Sequence, residues 1–224
     1  MRTFYGYEIE GIFQEGDDIE NSPTPDVDGY AAGMPRFVDQ NDDGVINDDD
    51  RVILGDPFAD LSFGINNSLR FKGLSLDMYI VGVRGIQTLD ANVTESLYPT
   101  NDFRNSISKY FLERWTPENP SNELPSGITP SLYGGGRAIN SLTVVDASYI
   151  RLRNITLGYI VPLPTNIALQ SLQVYIAAEN LLTITNFEGY DPDASAAGEE
   201  NVSKVNYNSY PLARTFRLGV NVKF

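Results

Sequence analysis

The chain has 224 residues, with 30 acidic against 16 basic side chains, a formal net charge of −14 and a pI near 4.3. So acidic a chain cannot neutralise phosphates, which excludes nucleic acid as a partner. Cysteine and histidine are both missing, so disulfides, zinc–thiolate centres, cysteine nucleophiles and Ser-His-Asp chemistry are excluded too.

No apolar run approaches the roughly 20 residues of a membrane helix, and the opening "MRTFYGYEIE" lacks the apolar stretch of a signal peptide. Apolar residues instead recur with period two, which predicts strands and an all-β fold. The first predicted strand spans residues 3–13, with Tyr5, Tyr7, Ile9 and Phe13 opposing Gly6, Glu8 and Glu10. A long acidic loop, 14–58, follows.

That loop contains "DQNDDGVINDDD", Asp39 to Asp50. Oxygen-bearing side chains at Asp39, Asn41, Asp43, Asn47 and Asp50, with the Val45 carbonyl and a turning Gly44 at the sixth position, match a calcium-loop pattern. Calcium is therefore the expected cofactor, although Asp50 is shorter than the glutamate that usually closes such a loop. The flanks hold Gly33, Pro35, Gly55 and Pro57, which are poor helix formers. The expected role is a structural clip rather than a sensor that swings two helices.

Two strands at 60–71 and 74–82 are separated only by Lys72-Gly73, a tight hairpin. Leu61, Phe63, Ile65, Leu69 and Phe71 share one face of the first, and Leu74, Leu76, Met78 and Ile80 one face of the second. The next loop, 83–147, holds "DFRNSISKYFLE", where Ile107, Tyr110, Phe111 and Trp115 suggest a short helix ended by Pro117. Trp115 reads as an anchor for its own loop, or as a platform for stacking a glycan. "YGGGR" (Tyr133–Arg137) lacks the ending and context of a phosphate loop.

In the strand at 148–160, Ile150 and Leu152 lie out of phase with Ile155, Leu157 and Tyr159. Either a bulge near Arg153-Asn154 adds a residue, or the upper part of the strand has different surroundings. A short connection, 161–170, leads to the strand at 171–182, a long loop at 183–212 containing the turn "GYDPD", and a last strand at 213–224. Six strands of 9–13 residues thus alternate with long and short connections. All the long loops fall at one end, which is the anatomy of an outer-membrane barrel. A soluble sandwich, whose apolar faces meet, is the competing architecture.

The last strand ends on an aromatic carboxy-terminus, with Arg217, Gly219, Val222 and Phe224 in the phase of a barrel-assembly signal, which works by strand addition to an exposed edge. With this ending, "FYGYEIEGIFQ", "DQNDDGVINDDDRVILGDPFADLSFGINNSLRFKGLSLDMYIVG", "RWTPENP", "VVDASYIRLRNITLGYIVP", "AENLLTITNFEGYDPD" and "YPLARTFRLGVNVKF" follow one another in order. The chain resembles the C-terminal part of a SusC/RagA-type TonB-linked (TonB-dependent) outer-membrane transporter of Bacteroidetes.

The resemblance implies a transporter, not an enzyme, with a barrel of about 22 strands around a plug. About six antiparallel strands would be held in this chain. The plug, the earlier strands and the segment that contacts TonB would lie outside it, so the chain is expected to be a piece of a larger protein. Implied partners are a SusD-like surface lipoprotein, the TonB complex through the missing N-terminal part, the barrel-assembly machinery, the remaining strands and plug, and membrane lipid. The expected setting is the bacterial outer membrane, with long loops extracellular and the C-terminus periplasmic. Glu8, Glu10, Asn66, Arg70, Asp77, Gln173 and Glu179 are expected to face the lumen, the cargo being an oligosaccharide or a peptide. The alternative is a soluble, secreted, calcium-stabilised β-domain for adhesion or glycan binding.

Overall fold

The computed structural model describes residues 3–26, 29–93, 112–127, 138–164, 168–193 and 204–224. Its first strands are β1 (Phe4–Tyr7), β2 (Ile9–Ile12), β3 (Thr24–Pro25), β4 (Pro35–Phe37), β5 (Val45–Ile46) and β6 (Arg51–Gly55). The hairpin strands β7 (Leu61–Phe71) and β8 (Leu74–Arg84) follow, then β9 (Gln87–Asp90), β10 (Val144–Asp146) and β11 (Tyr149–Val161). The last are β12 (Ser171–Thr185), β13 (Val205–Asn206) and β14 (Thr215–Lys223). Two compact units emerge, one of Met1–Pro57, Gln87–Val145 and Ser195–Ser209, the other of Phe58–Ile86, Asp146–Ala194 and Tyr210–Phe224. Among the described residues no helix is long and apolar enough to cross a membrane.

The second unit is built on an antiparallel sheet of five strands in the order β14-β12-β11-β8-β7. Lys72 and Gly73 both have positive φ, 45° and 82°, the backbone of the tight hairpin turns that match strand twist. Leu61 pairs with Arg84, and Tyr149 with both Val83 and Thr185, so the three long connections meet the sheet at one end. The short connections lie at the other, where Phe71 pairs with Leu74 and Val161 with Leu172.

The irregularity in β11 is a bulge. Leu152 pairs with Ile80 and Asn154 with Tyr79, so β11 gains one residue on β8. On its other side Leu152 pairs with Leu182 and Asn154 with Glu179, so β12 gains one residue on β11. The extra residues bring Ile150 and Leu152 onto the same face as Ile155, Leu157 and Tyr159. That face continues through Ile65, Leu69, Leu76 and Ile80 on one side, and Ile176, Ile184, Leu218 and Val220 on the other. It is uncovered, with Ile184 63% and Leu218 83% exposed. The opposite face carries Asn66, Arg70, Asp77, Thr156, Gln173, Glu179, Arg217 and Asn221.

The strand expected at 3–13 does not join this sheet. It breaks at Glu8 into β1, which pairs with β6, and β2, which pairs with β4. The physical reason is its two glycines, which lie under other loop segments. A Cβ on Gly6 would overlap the Ile139 carbonyl, and one on Gly11 would press on the Asn122 side chain. Backbone bonds from Tyr7 N to Ile139 O and from Ser141 N to Tyr7 O, both 3.0 Å, hold the first contact. Phe4, Tyr7, Ile12 and Phe13 are buried with Met34, Ile46 and Trp115 in the core of the first unit. Trp115 is an anchor for its loop. Its indole donates to Gln14 Oε1 at 2.9 Å, and Gly33 leaves no room for a Cβ against the ring. The helix expected around "DFRNSISKYFLE", up to Phe111, and "YGGGR" lie outside the described residues.

Asn180 sits in the β12 irregularity with φ 52°, and its amide donates to the Ala213 carbonyl at 3.0 Å. Both Asn180→Gly and Asn180→Val lose that bond and keep the left-handed backbone, but only valine meets a steric cost there. The valine variant should be the less stable by about 1–2 kcal/mol, read from urea midpoints of the assembled protein.

Candidate functional site

β14 closes one end of the strand order and β7 the other. Among the described residues their outer edges pair with no further strand. An unpaired edge offers its backbone N–H and C=O groups for strand addition. The four residues expected to form an assembly signal lie on β14 and just beyond it. Arg217 reaches Glu179 across the polar face, and Gly219 lies beneath the Tyr175 ring, where no Cβ would fit. Val222 pairs with Leu172 on the apolar face, and Phe224 is 79% exposed.

On the polar face, Arg70 Nη2 lies 2.9 Å from Asp77 Oδ1, which also accepts from Ser68 Oγ at 2.5 Å. Asn221 Nδ2 donates to Gln173 Oε1 at 3.4 Å. Five of the seven residues expected to face a lumen, Asn66, Arg70, Asp77, Gln173 and Glu179, therefore share one side of the sheet. Glu8 and Glu10 do not. They belong to the first unit, where Gln40 Nε2 donates to Glu8 at 3.2 Å and Arg36 pairs with Glu10 at 2.9 Å.

The acidic loop folds as a run of side chains capping their own backbone. Asp39 accepts from Gly44 N at 2.8 Å and from Asp43 N at 3.3 Å. Asn41 Oδ1 accepts from Asp43 N, and Asp43 Oδ1 from Val45 N. The Gly44 amide, helped by its neighbours, outweighs desolvation and holds the Asp39 carboxyl below the usual range. Val45 O accepts from Asn47 Nδ2 at 3.4 Å. Asn47 and Asp50 form a reciprocal capping box around a single 3-10 turn.

Apart from Asp50, each side chain expected to ligate calcium therefore has an oxygen that accepts a backbone amide, Asn47 Oδ1 from Asp49 N at 2.8 Å among them. Asp50, the closing position, is fully buried, with Oδ1 accepting from Gln40 N at 2.9 Å and Oδ2 from Asn47 N at 2.7 Å. Among the described residues no three acidic side chains come together as a metal-holding group. The loop is an internally capped acidic turn, and the calcium expectation gains no support from it.

One polar cluster had no signal in the sequence. Arg151, on β11, is buried against Asp191, from the loop that follows β12, at 2.5 Å, with side chains 3% and 6% exposed. Arg151 Nε donates to Thr183 Oγ1 at 2.9 Å, and the guanidinium lies 4.9 Å from the centre of the Tyr149 ring. Asp191 also accepts from Leu212 N at 3.0 Å and Asp193 N at 2.9 Å. Burial pushes the Asp191 carboxyl up, but those amides and Arg151 outweigh it and leave it below its ordinary value. The cluster ties both ends of the last long loop to the sheet. Arg and Asp are 40 residues apart, so no local pattern announces the pair.

Asp191→Ala would leave the buried guanidinium with only Asp193, 3.7 Å away, as an acidic partner, a loss of up to about 3–5 kcal/mol. Arg217→Ala removes an exposed pair and should cost less than about 1 kcal/mol. Urea unfolding of the two variants measures the difference. Because the folded-state value of Asp191 is depressed, its contribution is complete above pH about 4 and lost as pH falls further. Protease protection of residues 186–212 should fall over that acid range in the parent and not in Asp191→Asn.

No family model matches the chain. It is 32% identical over 229 residues to TonB-dependent receptor P3 of Formosa agariphila, taking in 99% of this chain and 22% of that protein. To TonB-dependent receptor SusC of Bacteroides thetaiotaomicron it is 26% identical over 200 residues, 84% of this chain and 17% of the relative. Among solved structures, the RagAB peptide importer in its open-open state matches with a TM-score of 0.70 at 21% identity, over 99% of this chain and 22% of that one. The closed-closed state gives 0.69 at 22% identity, over 99% of this chain and 23% of that one. At such identities the structural likeness speaks for the fold alone. The chain spans about a fifth of the length of the curated relatives it matches. It is homologous, over nearly its whole length, to the SusC/RagA-type TonB-dependent receptors, a family of outer-membrane transporters and not of enzymes.

Proposed function

We propose that the chain forms the C-terminal barrel segment of an outer-membrane importer that takes up oligosaccharides or peptides with a SusD-like surface lipoprotein. The observation that carries this reading is the sheet itself, apolar and uncovered on one side, charged and amide-rich on the other. Lipid satisfies the first side and a wet or plugged lumen the second. A soluble domain would cover so large an apolar surface. The likeness to RagAB, a peptide importer, supports a peptide cargo and a RagB/SusD-like partner. The oligosaccharide alternative follows from the family resemblance alone.

In this reading the long connections are extracellular and Phe224 lies at the periplasmic rim. The free edge of β14 is offered first to the barrel-assembly machinery and then to a partner strand of the closed barrel. The edge of β7 joins the preceding strand, because an open edge cannot persist in hydrocarbon. TonB and the plug act through parts of the protein beyond these residues. Polar side chains such as Arg70, Asp77, Gln173 and Glu179 face that plug or the transport path.

Deleting the gene in its host should abolish growth on one class of oligosaccharide or peptide and leave growth on free sugars and amino acids intact. Unchanged growth on all polymers would count against import. At the level of the sheet, Ile176→Arg sets a charge on the apolar face, at a cost of about 2–4 kcal/mol in a bilayer. It should deplete the heat-modifiable, membrane-inserted form on gels, whereas Gln173→Arg on the polar face should not. A protein that stays soluble and monomeric without detergent would sink the membrane reading.

A further inference from the structure

We infer that the apolar face seats a lipid bilayer whose borders are marked by Phe63 with Phe216 on the loop side, and by Phe71 with Phe224 on the turn side. The inference rests on the membrane reading above and adds where the membrane lies.

The two outermost strands carry the same spacing. Phe63 and Phe71 are eight residues apart on β7, and Phe216 and Phe224 are eight apart at β14. All four lie on the apolar face and are exposed. The two pairs are not level in the cross-strand rows. Phe216 falls in the row of Ala178, Ile155, Met78 and Asn67, four residues below Phe63. Phe71 falls in the row of Leu74, Tyr159, Val174 and Val220, four residues above Phe224. Both offsets have the same sense, and both accumulate over the four steps from β7 to β14. The stagger is one residue per strand.

A rise of about 3.4 Å per residue and a strand spacing of about 4.8 Å turn that stagger into a tilt of about 35°. Membrane barrels tilt by about 35–45°. If the strands lean by this amount, the lines Phe63–Phe216 and Phe71–Phe224 become horizontal. Eight residues then rise about 22 Å, close to the apolar band of about 25 Å that aromatic girdles flank in outer-membrane barrels. Between the lines the apolar face carries no charged side chain on any of the five strands. Charge returns just outside them. Arg84 pairs with Leu61 beyond the upper line, and Lys72 follows Phe71 with its amine 5.3 Å from the centre of that ring, in the manner of a cation reaching for the interface.

The test uses single cysteines, which this chain otherwise lacks, at 63, 67, 71, 216, 220 and 224 of the full-length protein in phosphatidylcholine bilayers. Each carries a bimane, and its depth is read by quenching from lipids brominated at set positions along the acyl chain. The four phenylalanine positions should lie at one depth, about 11 Å from the bilayer centre, with Asn67 and Val220 near the centre. The decisive pair is Phe216 and Asn67, which share a row and are expected at different depths. Quenching at every site, with Phe216 tracking Asn67 and Phe71 tracking Val220, would overturn the borders and leave the membrane reading standing. No quenching at any site would overturn both. Should Phe63→Cys fail to assemble, Leu61→Cys and Ile65→Cys bracket the same border, and Ile65 lying no deeper than Leu61 would equally overturn it.

Discussion

Hydrocarbon tolerates a sheet only if the side facing it stays apolar from strand to strand while the backbone remains fully hydrogen-bonded. The second unit is organised around that demand. β11 reads out of phase with itself, and its extra residue at Arg153-Asn154 cancels the defect by turning Ile155, Leu157 and Tyr159 to the side of Ile150 and Leu152. β12 follows through its own irregularity, with Asn180 in the left-handed region. Without these two adjustments the apolar face would be cut across its middle, and polar side chains would be carried onto it.

The opposite face is organised by pairing. Arg70 with Asp77 and Arg217 with Glu179 sit on neighbouring strands, where cross-strand charges satisfy each other near water. Tyr175 covers Gly219 on that side, and Phe63 covers Gly82 on the apolar side, so glycine backbone is shielded by a ring from the adjacent strand. At the loop end the buried Arg151–Asp191 pair secures both ends of a long connection. A mobile loop base there would loosen the strand ends beneath it.

The five long strands were legible in the sequence because period two runs along most of each, interrupted only at the irregularities of β11 and β12. The bulge was half legible, since a phase break shows that something happens but not whether an inserted residue or a changed environment causes it. Residues 3–13 misled because alternation does not say which neighbour a strand will find. Gly6 and Gly11 looked like members of a polar face and are contact points for other loops. In the acidic loop the pattern of oxygens was visible, yet the same Asp and Asn side chains that ligate calcium elsewhere also cap turns. Here they cap the turn, with Asp50 buried under two backbone amides. Arg151 and Asp191 could not be paired from sequence, because only the tertiary fold brings them together.

The continuity of the apolar face through the β11 bulge is the claim on which the membrane reading depends. Nitroxides placed one at a time from residue 149 to 159 in the full-length, membrane-inserted protein test it through their collisions with oxygen dissolved in lipid. High accessibility is predicted at 150, 152, 155, 157 and 159 and low accessibility at 149, 151, 154, 156 and 158, with the alternation changing phase at Arg153. An unbroken alternation, or equal accessibility on both faces, would contradict the account.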